Sequence, residues 1–237
     1  MNPESKKTHM LLDFALGVAL PSFVLMKLSG PEYLGAVWSF AVALTIPFAY
    51  GIYGAISERK LNWIAALGLL NIAGTGGLRF LEIGKLGFAL KEAFTPAVIG
   101  IAVLYSLKSD TPLVKKMLYN EKILNLGLIE EKLKELCQST GLEALLVRTT
   151  FILASSFFVS SALNFGLAWY LLQSPVNSVE FNQELGKMAA LSWPVIVLPS
   201  MAILIFGLLY LGRGIKKLTG LSWDEFLNNA PKESTPG

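Results

Sequence analysis

Cysteine, histidine and charge are scarce in this chain, and each scarcity closes off a class of function. A single cysteine, Cys137, excludes an internal disulfide and leaves no thiolate cluster for a metal. The only histidine, His9, lies in a polar leader and reads as a solvated tail residue. Charged residues make up 16% of the 237 positions, whereas ordinary soluble domains carry about 25%. No HExxH, paired-cysteine, GxSxG or GxxxxGK[ST] pattern occurs, so neither a zinc hydrolase, a serine hydrolase nor a P-loop is indicated. Gly74-Thr75-Gly76-Gly77 is not a phosphate loop, because Arg79 stands where the last glycine of GxGxxG belongs and no strand precedes it. Close helix packing accounts for it better.

What the chain has instead is apolar surface: 53% hydrophobic residues and a mean hydropathy of +0.54. These residues fall in long blocks rather than in alternating runs, which points to helices of the length that crosses about 30 Å of hydrocarbon. Six spans are predicted, at Leu11–Leu28, Tyr33–Ile56, Leu61–Phe80, Phe88–Leu107, Leu145–Leu172 and Met188–Leu211. The expected fold is all-α, a polytopic membrane bundle of three helical hairpins. Residues 1–10 form a leader, 11–212 the membrane domain with an insert at 108–147, and 213–237 a tail. Lys6 and Lys7 precede the first apolar run as in a signal peptide, but no persuasive cleavage site follows, so that run reads as a retained span.

The net charge of +3 does not indicate nucleic acid, because the basic residues flank spans rather than forming one patch. Threading the six spans puts fifteen Lys and Arg on one face and five (Lys27, Arg79, Lys85, Lys91, Lys187) on the other. The positive-inside rule then places both termini in the cytoplasm. Within the insert, Leu126, Ile129, Leu133 and Leu136 recur at helical spacing, with Glu130 and Lys134 as an i,i+4 pair on the opposite side. This predicts an amphipathic helix on the membrane surface or under the bundle, with a partner-binding face as the alternative. Ser222 and Glu225 predict a capping box.

Polar residues near apolar surroundings are the candidate site. Lys91, Lys187, Asn71, Asn164, Arg79 and Glu82 are those whose burial is costly unless they are paired or wet. Lys91 and Lys187 occupy matching places in two hairpins whose order of Asn71, Lys91, Pro96, Lys115-Lys116 parallels Asn164, Lys187, Pro194, Lys216-Lys217. They either snorkel to headgroups or line an outward cavity for an anion or lipid headgroup. Asn71 and Asn164 join that cavity or hydrogen-bond across helices. Small residues at Ser156, Ser160, Ala162 and Gly166 predict close helix approach on span five.

In their order, several segments resemble the bacterial intracellular septation protein A family of inner-membrane-spanning proteins and a related group of bacterial integral membrane proteins. They are Leu12-Asp13-Phe14, Phe88-Ala89-Leu90-Lys91, Thr111-Pro112-Leu113-Val114-Lys115-Lys116-Met117-Leu118, Arg148, Ala162-Leu163-Asn164 and Lys187. The spacing of Pro21 from Asp13, the lack of a Trp beside Lys91 and the added amphipathic segment favour the second group. The resemblance implies a non-enzymatic inner-membrane scaffold of cell-envelope maintenance or division, without cofactor or metal. Its partners would be the lipid bilayer and other membrane proteins. A small transporter or lipid-handling protein is the alternative.

Overall fold

In hydrocarbon a backbone can satisfy its own N–H and C=O groups along a single segment only as a helix, and the computed structural model is predominantly helical over the residues it describes, 15–57, 74–79, 81–109, 112–119 and 124–227. Among these no strand occurs beyond an isolated bridge between Leu124 and Leu227. The helices are α1 (Leu20–Lys27, after a π-turn at Ala15–Ala19), α2 (Gly35–Ser57) and α3 (Lys85–Tyr105). There follow α4 (Leu113–Leu118), α5 (Leu126–Glu135), α6 (Ser139–Leu171) and α7 (Val179–Ser192). A π-turn at Trp193–Val197 leads into α8 (Leu198–Thr219), and α9 is Trp223–Phe226.

Three stretches are long and apolar enough to cross a membrane: Lys85–Lys108, Ser139–Leu171 and Val179–Thr219, of 24, 33 and 41 residues. Their surfaces agree, since Ile101 is 58% exposed, Phe151 56% and Phe206 55%, an apolar exterior suited to lipid. Ala15–Lys27 and Gly35–Tyr50 are shorter apolar helices. Most of the expected third span lies outside the described residues, as does Asn71.

Two span boundaries differ from expectation. Span five starts at Ser139 rather than Leu145, because its first turns bury Leu142, Leu145 and Leu146 in a protein core. Span six reaches back to Val179, where the Ser178 hydroxyl caps the helix by accepting from the Phe181 N–H at 3.0 Å. Hydropathy alone could not see either extension, since each is held by protein and not by lipid.

The chain divides into two compact units, Met1–Thr95 with Ser161–Val197, and Pro96–Ser160 with Leu198–Gly237. The first has a core of Val24, Leu25, Phe40, Phe88, Ala168, Leu172, Phe181 and Leu185, with Phe88 and Phe181 in edge contact at 5.1 Å. Here α1 lies so close to α7 that a Cβ on Gly186 would sit 2.6 Å from Met26 Cγ and 2.9 Å from the Ser22 carbonyl oxygen. In the second unit the amphipathic helix α5 buries Ile129 and Leu133 against Leu211, Ile215 and Phe226, so its apolar face packs on the protein's own helices. Leu136 falls outside it, 51% exposed, beside Cys137 in the left-handed region at φ 53°. The ion pair on α5 is Lys132–Glu135 at 2.7 Å, not Glu130–Lys134. The capping box at Ser222 and Glu225 is present.

Close helix approach on span five occurs around Ser156 and not at Gly166. Ser156 is 3% exposed, with Gly207 facing Leu153 at 2.8 Å and Gly100 facing Phe157 and Phe158 at 3.2 Å, whereas no described residue lies within 4 Å of where a Gly166 Cβ would be. The spacing of small residues marks where a neighbour is allowed; the neighbour's own side chains decide whether it comes.

Candidate functional site

The polar residues of the first unit converge around Arg79, the last residue of the helical stretch 74–79, which is 5% exposed. Its guanidinium uses three faces. Nε donates to Asn177 Oδ1 at 3.0 Å, Nη1 donates to Asn182 Oδ1, and Nη2 donates to the Ala36 carbonyl at 3.1 Å. The Phe40 ring lies 4.0 Å from Cζ, a cation–π contact. A planar fork with fixed donors is what such a spread of acceptors requires.

Asn182 is fully buried and carries the network onward. Its Nδ2 faces three acceptors, the Ala36 carbonyl at 2.7 Å, Ser39 Oγ at 2.9 Å and Ser29 Oγ at 3.1 Å. Ser29 and Ser39 donate to the carbonyls four residues back, Leu25 at 2.7 Å and Gly35 at 2.6 Å. Their hydroxyl protons thus point to their own backbone carbonyls, and the lone pairs remain for the amide. Glu82 enters by a relay: Asn177 Nδ2 donates to Glu82 Oε1 at 3.1 Å while Asn177 Oδ1 accepts from Arg79. Two members of this relay stand in the left-handed backbone region, Glu82 at φ 52° and Asn177 at φ 76°. That conformation is uncommon outside glycine and persists where its surroundings fix it.

A carboxylate secures the loop that delivers Asn177. Glu184 accepts from the N–H groups of Gln173 and Ser174, both at 3.0 Å, and from Ser174 Oγ at 2.7 Å. Lys85 donates to Gln173 Oε1 at 3.1 Å and sits 4.2 Å above the Trp169 ring.

No protein family, curated protein or solved structure matches the chain. Any functional reading therefore rests on the chain's own residues.

The structure joins some of the expected site residues and separates others. Arg79 and Glu82 belong to one network through Asn177. Lys91 is half-buried and occupied, donating to Thr75 Oγ1 and to Glu92 Oε1, both at 2.7 Å. Lys187 is exposed on α7, with no hydrogen bond or ion pair to a described residue. The matching sequence positions of these two lysines thus correspond to different environments. Asn164 is half-buried on α6, and Asn71 lies outside the described residues. Asn182, which centres the network with Ser29 and Ser39, is hidden in the sequence because 173–187 reads as a connection. The spacing of Phe181, Leu185 and Met188 behind Ser178 is the signal that marks it as helical.

Chemically, the network orients and holds. Each guanidinium nitrogen already donates to protein oxygen, and the carboxylate nearest in the network, Glu82, is reached only through an amide. Among the described residues no three His, Cys, Asp or Glu side chains come together as a metal would need.

Proposed function

We propose that this is a polytopic inner-membrane protein of six spans whose work is non-catalytic, a scaffold in cell-envelope maintenance or division. Both termini lie in the cytoplasm. The observation that carries the scaffold reading is the inward direction of the Arg79–Asn182 network: each guanidinium nitrogen and the Asn182 amide donate to protein oxygens, whereas a transport or catalytic site needs polar groups turned toward a ligand. Lys91 supports the same reading, since Thr75 and Glu92 occupy its ammonium. The envelope context comes from the ordered segments that resemble the septation protein A family and, more nearly, the related group of bacterial integral membrane proteins. Three helices of spanning length support a membrane bundle; in this reading the shorter apolar helices Ala15–Lys27 and Gly35–Tyr50 and the apolar sequence Leu61–Phe80 are the other three spans.

The test has two arms. Reporters fused to the N- and C-termini should both report the cytoplasmic side; opposite sides would remove the even number of spans. Deleting the gene should alter cell shape or septum placement, and a Lys91→Ala/Lys187→Ala double variant should restore it. Failure of that variant to complement, although inserted and stable, would turn the assignment toward transport through a site at these lysines.

A further inference from the structure

In the second unit, α6 and α8 present two matched stripes to one groove of about 470 Å³. Gly141, Ala144, Leu145 and Arg148 recur at i, i+3, i+4 and i+7 on α6; Tyr210, Arg213, Gly214, Lys217 and Leu218 do so on α8. Small residues set its depth. A Cβ on Gly214 would collide with the Leu145 side chain, and one on Gly141 would lie 2.8 Å from Leu218 Cδ2.

Three cations line this groove, and all are exposed. None has an ion-pair partner: among the described residues the pairs are Lys91–Glu92 and Lys132–Glu135. Glu143, on the same helix as Arg148, does not line it. The cations also stand at a defined depth. Arg148 is the last charge before the uncharged stretch 149–179, and Arg213 the first after 188–212. At 1.5 Å per residue the second of these stretches alone covers about 37 Å, enough for the hydrocarbon. With these helices across a bilayer, both guanidinium groups would stand where the hydrocarbon gives way to phosphate, with Leu145, Leu218 and Ala144 lining the same groove.

We propose that this groove binds the headgroup phosphate of an anionic phospholipid. The two guanidinium forks grip its oxygens, Lys217 adds a point charge one turn on, and the aliphatic wall takes the start of an acyl chain. Guanidinium suits a phosphate because its paired donors match two oxygens at once. An amphiphile fits better than a soluble anion, because the site joins three unpaired cations to apolar lining at the edge of spanning helices. Lipid binding here needs the helices to cross a bilayer but does not need the scaffold role.

Native mass spectrometry of the detergent-solubilised full chain tests it with three probes: phosphatidylglycerol, phosphatidylcholine and inorganic phosphate. The wild type should retain phosphatidylglycerol over phosphatidylcholine. Neutralising the groove (Arg148→Gln, Arg213→Gln, Lys217→Gln) should reduce that retention at least about tenfold, since each basic residue near an anionic surface counts separately. A control that removes the same charge from exposed positions outside the groove (Lys108→Gln, Lys134→Gln, Lys216→Gln) should leave it unchanged. Ala144→Phe, which fills the groove and keeps every charge, should also abolish it, and this arm stands even if the triple variant does not fold. Equal retention of both lipids, equal loss in groove and control variants, full retention by Ala144→Phe, or displacement of the lipid by millimolar phosphate would each overturn the proposal.

Discussion

The two units use the same side chain in opposite ways. In the first, Arg79 is buried and its donors are directed at Asn177, Asn182 and the Ala36 carbonyl, under the Phe40 ring. In the second, Arg148 and Arg213 stand exposed at a groove and form no ion pair among the described residues. A buried guanidinium is tolerated only when its hydrogen bonds are met, and that demand fixes the position of every partner around it. An exposed one at the end of an apolar run keeps its hydration and stays available. Charge near a membrane segment is thus a structural clasp in one case and an open contact in the other, and only the partners distinguish them.

Breaking the clasp should give the largest effect. Arg79→Ala removes the donor to the fully buried Asn182 Oδ1 and leaves a void beside Phe40. Together these should lower stability by about 3 kcal/mol, read as unfolding of the detergent-solubilised protein. Arg79→Lys should recover little, since one ammonium cannot reach three separated acceptors; wild-type stability in that variant would refute the fork argument. In the second unit the comparable weak point is apolar. Trp223 packs directly on Gly212, so Gly212→Val should displace α9 at a cost of about 1–3 kcal/mol. Trp223 carries the readout, and its emission should shift to the red; an unshifted spectrum would mean that the contact is dispensable.

How legible this was depended on whether lipid or protein holds the residue. The all-helical class and the three long spans follow from uninterrupted apolar length, a property of the sequence itself. The amphipathic insert and the Ser222 capping box were likewise readable, because their spacing is local. Arg79 and Glu82 could be picked out as charges near apolar surroundings, but their link could not. It runs through Asn177 and Asn182, about a hundred residues away in sequence and lying in what reads as a connection. Lys91 and Lys187 show the converse, since equivalent places in two similar hairpins say nothing of whether Thr75 and Glu92 are at hand. Arg148, Arg213 and Lys217 were legible only as flanking charges; their meeting in one groove depends on Gly141 and Gly214, whose role is visible only against Leu218 and Leu145.

Two titrations sharpen the second unit's side of the comparison with smaller effects. Tyr119 is 7% exposed and its hydroxyl has no partner among the described residues, and burial, with Glu130 adding to it, pushes its pKa up to about 12. An acid whose folded pKa is raised contributes stability fully below its unfolded value and loses it as pH rises through the folded one. The difference in tyrosinate absorbance between wild type and Tyr119→Phe should therefore appear near pH 12. A difference near pH 10 would show the ring to be hydrated.

Glu225 runs the other way and is the smaller effect, because it is exposed. Its carboxylate accepts from the Ser222 N–H and hydroxyl, each at 2.7 Å, and these bonds hold its pKa below the ordinary 4.5. A lowered folded pKa means that the contribution is complete at neutral pH and fades as pH falls past 4.5 and through the folded value. Amide exchange at Trp223–Phe226 should accordingly quicken, beyond the intrinsic pH trend, only on the acid side. Glu225→Gln keeps an oxygen to accept the bonds but has no proton to gain, so that excess acid dependence should vanish while protection at neutral pH falls only slightly. Persistence of the acid limb in Glu225→Gln would assign it to another carboxylate and leave the capping box without a measurable hold on α9.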